Sequence, residues 1–173
     1  MSFANKVFCV VNAVRNSQDY DYVVWIDGDT FSFRPIPMDF FEKLLPQDTM
    51  LTYLGRENPK LNDGGKYPEC GFVGYNLTNK HTQRFVKELR NTYEQDLLFN
   101  EKQWHDSYVW NEVRKRTLNG QPQMDLTGRR KDGHVWPESK IAPYTAHLKG
   151  KRKKDAGVDE RDKEINKEYY EGR

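Results

Sequence analysis

The sequence is short of cysteine, of long apolar runs and of charge of one sign. Its 173 residues include two cysteines, Cys9 and Cys70. That is too few for a disulfide framework, and they do not form a CxxC metal site. Such usage predicts a reducing, cytoplasmic setting. No run approaches the roughly 18 apolar residues of a membrane span, so no transmembrane segment is expected. Residues 1–14 contain Asn5 and Lys6 and lack the apolar stretch and small-residue cleavage site of a signal peptide. Net charge is +2, from 28 Lys/Arg against 26 Asp/Glu. Lys149 to Arg173 holds nine basic and seven acidic residues, which leaves nineteen of each in the rest. The excess therefore sits in one short run, Lys149, Lys151, Arg152, Lys153 and Lys154. A nucleic-acid binder needs a basic face on its folded body, so no nucleic-acid partner is expected. Internal repeats and low-complexity tracts are absent.

What is present is a polar chain with a concentrated apolar part. Hydrophobic residues make up 36% and charged ones 31%, and mean hydropathy is −0.98. Aromatics at 13% argue against wholesale disorder. The length suits one domain, taken as 1–153, followed by a charged, helical tail, 154–173. In that tail Asp159 and Lys163 stand at helical i,i+4 spacing.

Along the chain, Val7, Val10, Val11 and Val14 form the stripe of an amphipathic helix over 3–16. The continuous apolar run 22–26 reads as a strand covered on both faces. A helical turn is expected over 40–45 and a second strand over 50–54. A third strand, 71–75, carries glycines where another backbone could come close. Residues 78–99 give a long helix with Phe85, Leu89, Tyr93 and Leu97 four apart, capped by Thr78 or Asn79. A further helix spans 107–116, a short strand lies within 119–134, and the last apolar patch is 141–148. Strands interleaved with helices predict an α/β class with a mixed sheet. Trp25, Trp104 and Trp110 are expected in the core, with a sugar-stacking wall as the alternative. Asn76-Leu77-Thr78 has the pattern of a glycosylation sequon.

Asp27-Gly28-Asp29 directly follows the first strand. Open α/β sheets place ligand sites at the carboxyl ends of their strands. If extended, the two carboxylates share a side, and Gly28 permits a turn or a close ligand. Two oxygen donors so placed suit a hard cation beside phosphates. The plainer reading is a loop in which Asp caps and Gly turns.

Further segments give the pair a context. The stretch Asp21 to Thr30, preceded by a helix with Lys6 at its head, resembles the DxD region of GT-A fold glycosyltransferases. Glu69-Cys70-Gly71-Phe72-Val73-Gly74-Tyr75-Asn76 is similar to their glycine-containing strand on the acceptor side. Trp104-His105-Asp106-Ser107 resembles the acidic motif of glycosyltransferase family 6, with Ser107 where that family has a second acid. His147-Leu148-Lys149-Gly150-Lys151-Arg152-Lys153 is similar to the HxxGxxK motif of family 8, which usually continues into proline rather than Lys154. The four segments stand in the family order over roughly residues 5–153.

The resemblance implies a GT-A-like (Rossmann-like) mixed sheet flanked by helices and N-terminally reduced, since the opening βαβ unit that holds the nucleoside has no counterpart. It implies transfer of a sugar from a nucleotide-diphosphate sugar, a UDP-sugar foremost, to a glycan or other hydroxyl acceptor. Asp29 and His147 would be ligands of Mn²⁺ (or Mg²⁺), and Asp27 a ligand or a ribose contact. Lys149 and Lys153 would meet the diphosphate, with Gly150 allowing close approach. Asp106 is the candidate carboxylate at the transferred sugar, acting as base or stabilising an oxocarbenium-like state. Glu69 is a second candidate, and His105 could hydrogen-bond the sugar. Two other readings stand beside this one. A non-catalytic remnant would serve as a binding module. A HAD-type phosphohydrolase also opens on a strand and Asp-x-Asp, but Thr30 stands where that pattern has glycine.

Overall fold

The computed structural model describes residues 4–56, 67–118, 120–127 and 135–148. Helix α1 (Ala4–Asn16) forms on the valine stripe, and Val7, Val10, Val11 and Val14 are all buried. A polar turn leads into β1 (Tyr22–Ile26), and a second turn, closed by Thr30 N–H donating to the Asp27 carbonyl at 2.9 Å, leads into β2 (Thr30–Ser32). Helix α2 (Met38–Leu44) begins after Pro37, whose fixed φ suits a helix start. Strands β3 (Leu51–Leu54) and β4 (Glu69–Asn76) follow. Helix α3 (Lys80–Glu94) is capped by Asn79, whose side chain accepts from His81 N–H. It is followed by a 3-10 turn (Leu97–Asn100), α4 (Asp106–Thr117), β5 (Gln123–Asp125), a second 3-10 turn (Trp136–Glu138) and β6 (Thr145–His147).

The main sheet has the order β1-β4-β3-β5, antiparallel except for the parallel β3–β5 pair. This is the mixed sheet expected from the interleaved pattern. Strand β4 is its centre, with all eight residues buried. One face packs on α1, α3 and α4 through Val14, Leu51, Val73, Tyr75, Phe85 and Trp110. The other face packs on Leu44, Leu45, Leu126, Val135, Trp136 and Ile141 through Leu54 and Phe72. A separate antiparallel ribbon joins β2 to β6, with Thr30 opposite His147 and Ser32 opposite Thr145.

Several expectations need correction. Among the described residues β1 is an edge strand, so its apolar run packs on both faces yet stays only half-buried. The long helix stops at Glu94, because Asp96 takes a left-handed conformation (φ 56°) that breaks the stripe and leaves Leu97 exposed. Trp110 is core, whereas Trp104 is 57% exposed. What comes close to the β4 glycines is side chain rather than backbone: a Cβ on Gly74 would run into Leu45 and Thr52. Asn76 is buried, its amide donating to the carbonyls of Gln47 and Thr49 at 2.9 and 2.8 Å, so the sequon is a structural corner. The tail 154–173 lies outside the described residues.

The β3–β4 ladder is irregular at one place. Tyr53 opposes Val73, but Leu54 opposes Glu69, so residues 70–72 bulge out of register. Bulges re-aim backbone groups beside functional sites. Here the freed Cys70 carbonyl accepts from Lys6 Nζ at 2.7 Å, while the Gly71 carbonyl stays in the β1 ladder and accepts from Asp27 N–H at 2.9 Å.

Trp136 is the largest fully buried side chain, and its indole N–H points at Thr145, 3.2 Å from the carbonyl and 3.1 Å from the hydroxyl. Trp136→Ala is expected to cost about 3–5 kcal/mol, the range for a deleted buried aromatic. Urea unfolding measures this; a loss below about 1 kcal/mol would show that this face of the core is not held by Trp136.

Candidate metal and substrate site

The turn after β1 and the end of β6 converge. Asp27, Asp29 and His147 each offer a ligand atom, and these atoms lie within 4.8 Å of one another. His147 Nε2 is 2.8 Å from Asp29 Oδ1, across 118 residues of sequence. His147 is buried, on the strand that pairs with β2, and its ring is 4.8 Å from that of Trp136. The backbone adds a second tie, Leu148 N–H donating to the Asp29 carbonyl at 3.0 Å. Gly28 does not take a left-handed φ, and a Cβ there would meet nothing within 4 Å. Of the two uses open to Gly28, the structure leaves open space for a ligand rather than a turn that requires glycine.

Gly71 is required for a different reason. A Cβ on it would stand 3.0 Å from the Trp136 ring, 3.4 Å from His147 Cε1 and 3.5 Å from Asp27 Oδ2. The missing side chain is what leaves room for the Trp136 ring, with the imidazole and the carboxylate in contact range beside it. The donor set is two carboxylates and one imidazole, which suits a divalent ion that accepts both oxygen and nitrogen ligands. On chemistry and spacing these residues could hold such an ion.

Sequence reasoning noted Lys6 only as the head of a helix. In the structure its ammonium lies 2.9 Å from Asp27 Oδ1, 2.9 Å from Asp106 Oδ2 and 2.7 Å from the Cys70 carbonyl. Burial works against that charge, but Cys70, Asp106 and Asp27 outweigh it and raise the Lys6 pKa above its ordinary value. Trp25 shares in the arrangement: its indole N–H donates to Asp27 Oδ1 at 2.7 Å, and Lys6 Nζ stands 5.3 Å from its ring centroid. Asp27 Oδ1 is thus engaged by the protein, while Oδ2 lies beside Gly71 and His147. Asp106, at the head of α4, is brought to the same cluster through Lys6. The only signal that could have found Lys6 was a lysine directly ahead of the first valine of a buried stripe.

The remaining candidates are placed less favourably or lie outside the described residues. Glu69 is buried and forms an ion pair with Arg56 at the head of β4. His105 has both ring nitrogens engaged locally: Nδ1 accepts from Tyr108 N–H at 3.3 Å as the α4 cap, and Nε2 is 2.8 Å from Gln103 Oε1. It therefore does not aim a nitrogen at a sugar. Lys149, Gly150 and Lys153 lie outside the described residues. The cavity beneath Lys6, lined in part by Cys70, Tyr75 and Asp106, holds about 20 Å³, room for one water.

No known family profile matches the sequence, and no curated protein matches it significantly. By structure, the chain is similar to the crystal structure of a glycosyltransferase involved in the glycosylation of the major capsid of PBCV-1. The TM-score is 0.52 with 14% identical residues, over 94% of this chain and 74% of that one. At that identity the likeness is one of fold: a mixed α/β architecture of glycosyltransferase type. Among the described residues no helix is long and apolar enough to cross a membrane.

Lys6→Met should leave two half-buried carboxylates facing each other. A loss of about 1–3 kcal/mol is expected in urea unfolding, the cost of stranding charged partners; unchanged stability would mean that the tie contributes nothing to the fold. His105 gives a pH signature. Burial lowers its pKa below the ordinary 6.5, Asp106 raises it in part, and Arg56 lowers it again. A histidine with a depressed folded pKa contributes stability above its unfolded value and loses it as pH falls through the folded one. The urea midpoint should therefore fall between about pH 7 and pH 5. His105→Asn keeps a capping acceptor without titrating there, and should flatten that dependence.

Proposed function

We propose that this chain is a metal-dependent glycosyltransferase that moves a hexose from a nucleotide-diphosphate sugar, a UDP-sugar foremost, to a glycan or other hydroxyl acceptor. The observation that carries the reading is the convergence of Asp27, Asp29 and His147 at the end of an α/β strand, on a fold shared with a glycosyltransferase. Mn²⁺ is favoured over Mg²⁺ because one of the three donors is imidazole. A divalent ion held there would supply Lewis-acid stabilisation to the charge that develops on the departing diphosphate.

The chain's own residues do the rest. Asp29 and His147 bind from opposite ends of the sequence, and Asp27 contributes Oδ2 or a ribose contact. Lys149 and Lys153, close behind His147 in sequence, meet the phosphates, and Gly150 allows the approach. The anomeric carbon–oxygen bond breaks with its electron pair going to the diphosphate, and a new bond forms to the acceptor oxygen, whose proton passes to Asp106 in an inverting route or to the departing diphosphate in a retaining one. Asp106 faces that exchange, as base in an inverting route or as counter-charge in a retaining one. Lys6 is a positioning residue that holds Asp106 fixed relative to Asp27. Glu69, engaged by Arg56, supports the acceptor side.

Calorimetric titration of UDP, then GDP, with Mn²⁺ and again with EDTA tests the reading. UDP should bind with Mn²⁺ and not with EDTA. Asp29→Ala should abolish that binding in a folded protein, and His147→Ala should weaken Mn²⁺ affinity more than it weakens stability. A folded sample that binds neither nucleotide would overturn the transferase reading in favour of a non-catalytic binding module. Phosphate release without nucleotide-sugar binding would point to a phosphohydrolase.

A further inference from the structure

Among the described residues, both side-chain hydrogen bonds to the Asp27 carboxylate fall on the same oxygen. Residues 25 and 27 share a face of an extended strand, and Asp27 N–H continues the β1 ladder by donating to the Gly71 carbonyl. That spacing brings the Trp25 indole to Asp27 Oδ1, where its N–H donates at 2.7 Å. The Lys6 ammonium donates to the same oxygen at 2.9 Å. An indole N–H can only donate, and an ammonium has three protons to give. The other two meet Asp106 Oδ2 at 2.9 Å and the Cys70 carbonyl at 2.7 Å, so the ammonium is fully committed. It also stands 5.3 Å from the Trp25 ring centroid, within cation–π range. Trp25 thus holds Asp27 directly and the cation beside it through its face.

Two donors on Oδ1 use both of the lone-pair sites that a carboxylate oxygen offers. The other oxygen, Oδ2, lies on the His147 side. A Cβ on Gly71 would stand 3.5 Å from Oδ2 and 3.4 Å from His147 Cε1, so the two groups flank one point over the strand. Asp27 can therefore meet a cation in this cluster through Oδ2 alone and cannot close both oxygens around it. That bears on which cation fits. Ca²⁺ gathers many oxygens and commonly takes both from one carboxylate, whereas Mg²⁺ keeps six ligands, several of them water, and takes one oxygen from each carboxylate. Mn²⁺ shares that six-fold preference.

We propose that Trp25 is a positioning residue that, with Lys6, occupies Asp27 Oδ1, makes Asp27 a one-oxygen metal ligand rather than a ribose contact, and so sets the cluster of Asp27, Asp29 and His147 for a small six-coordinate cation over Ca²⁺. This rests on the metal-dependent transferase reading and chooses between its two roles for Asp27. The indole N–H is turned to the carboxylate, which also takes Trp25 out of any part as a sugar-stacking wall.

The test uses metal alone, without nucleotide. Free Mn²⁺ is counted by electron paramagnetic resonance while Mg²⁺ or Ca²⁺ competes for the site. Imidazole is a poor ligand for both competitors, so His147 drops out of their comparison. Trp25→Phe keeps a ring beneath Lys6 and removes the N–H. It should still bind Mn²⁺, and its affinity for Ca²⁺ relative to Mg²⁺ should rise about tenfold, the effect of releasing one charge-assisted hydrogen bond. Lys6→Met frees the same oxygen and should move the ratio the same way. Trp104→Phe, which removes an exposed indole whose N–H donates to the Glu101 carbonyl, should leave it unchanged. In the native chain the Trp25 indole N–H resonance, identified by its nuclear Overhauser contacts to the Lys6 side chain, should shift when Mg²⁺ is added. Mn²⁺ binding with a Ca²⁺/Mg²⁺ ratio unchanged in Trp25→Phe overturns the role of Trp25 and spares the metal site. An indole resonance that ignores Mg²⁺ and moves only when UDP is added overturns it too, and returns Asp27 to the ribose. A folded native chain that binds no Mn²⁺ overturns the metal-dependent reading itself. If Trp25→Phe does not fold, the Lys6→Met ratio and the native indole shift decide the matter.

Discussion

The site is organised around one half-buried cation. The Lys6 ammonium joins the carboxylate at the end of β1, a carbonyl released by the bulge in β4 and the carboxylate at the head of α4. Two neighbouring strands and a helix are thereby held in one arrangement. Two carboxylates, those of Asp27 and Asp106, share the one ammonium, and a third, that of Asp29, lies against His147. A cluster with surplus negative charge is poised for a further cation, and the fixed protein charge decides where it would sit, on the Asp29 and His147 side. This is electrostatic preorganisation, in which donors and charges are in position before any ligand arrives.

The irregular stretch of β4 is what makes room for that arrangement. In a regular ladder the carbonyl of Cys70 would turn toward β3, out of reach of Lys6, whereas that of Gly71 faces β1 and continues its ladder by accepting from Asp27 N–H. The bulge leaves the Cys70 carbonyl to Lys6, and the absence of a side chain at Gly71 leaves room for the Trp136 ring against the strand. Trp136 then has two duties. It fills the second core, and it gives the buried imidazole a wall to stand against.

The elements most legible in the sequence were those set by local rules. The valines of α1 and the Phe85, Leu89 and Tyr93 face of α3 follow helical spacing, and both are buried as read. Asn79 capped α3 because a short polar side chain there satisfies an orphan N–H. Asp27, Asp29 and His147 could be gathered only through motif resemblance, since nothing local in a three-residue strand says that His147 will pair opposite Thr30. The ribbon of β2 and β6 was missed for that reason: each strand is too short to carry a period, and the pairing is long-range. Lys6 was underestimated because an ammonium near a helix start looks like an ordinary solvated charge until three partners close on it. Trp104 was misjudged because size and apolarity argue for the core, whereas its position just ahead of α4 leaves it on the surface.

The pairing of Asp29 with His147 spans most of the chain and ties a turn formed early in synthesis to a strand formed late. Until β6 emerges from the ribosome and docks, the nascent polypeptide carries the acidic half of the cluster without its imidazole. The cluster is thus completed by the last long-range contact among the described residues. Because closing such a contact is slow relative to local helix formation, occupancy of the finished cluster would report on whether the whole domain, and not only its helical layer, has reached the native state.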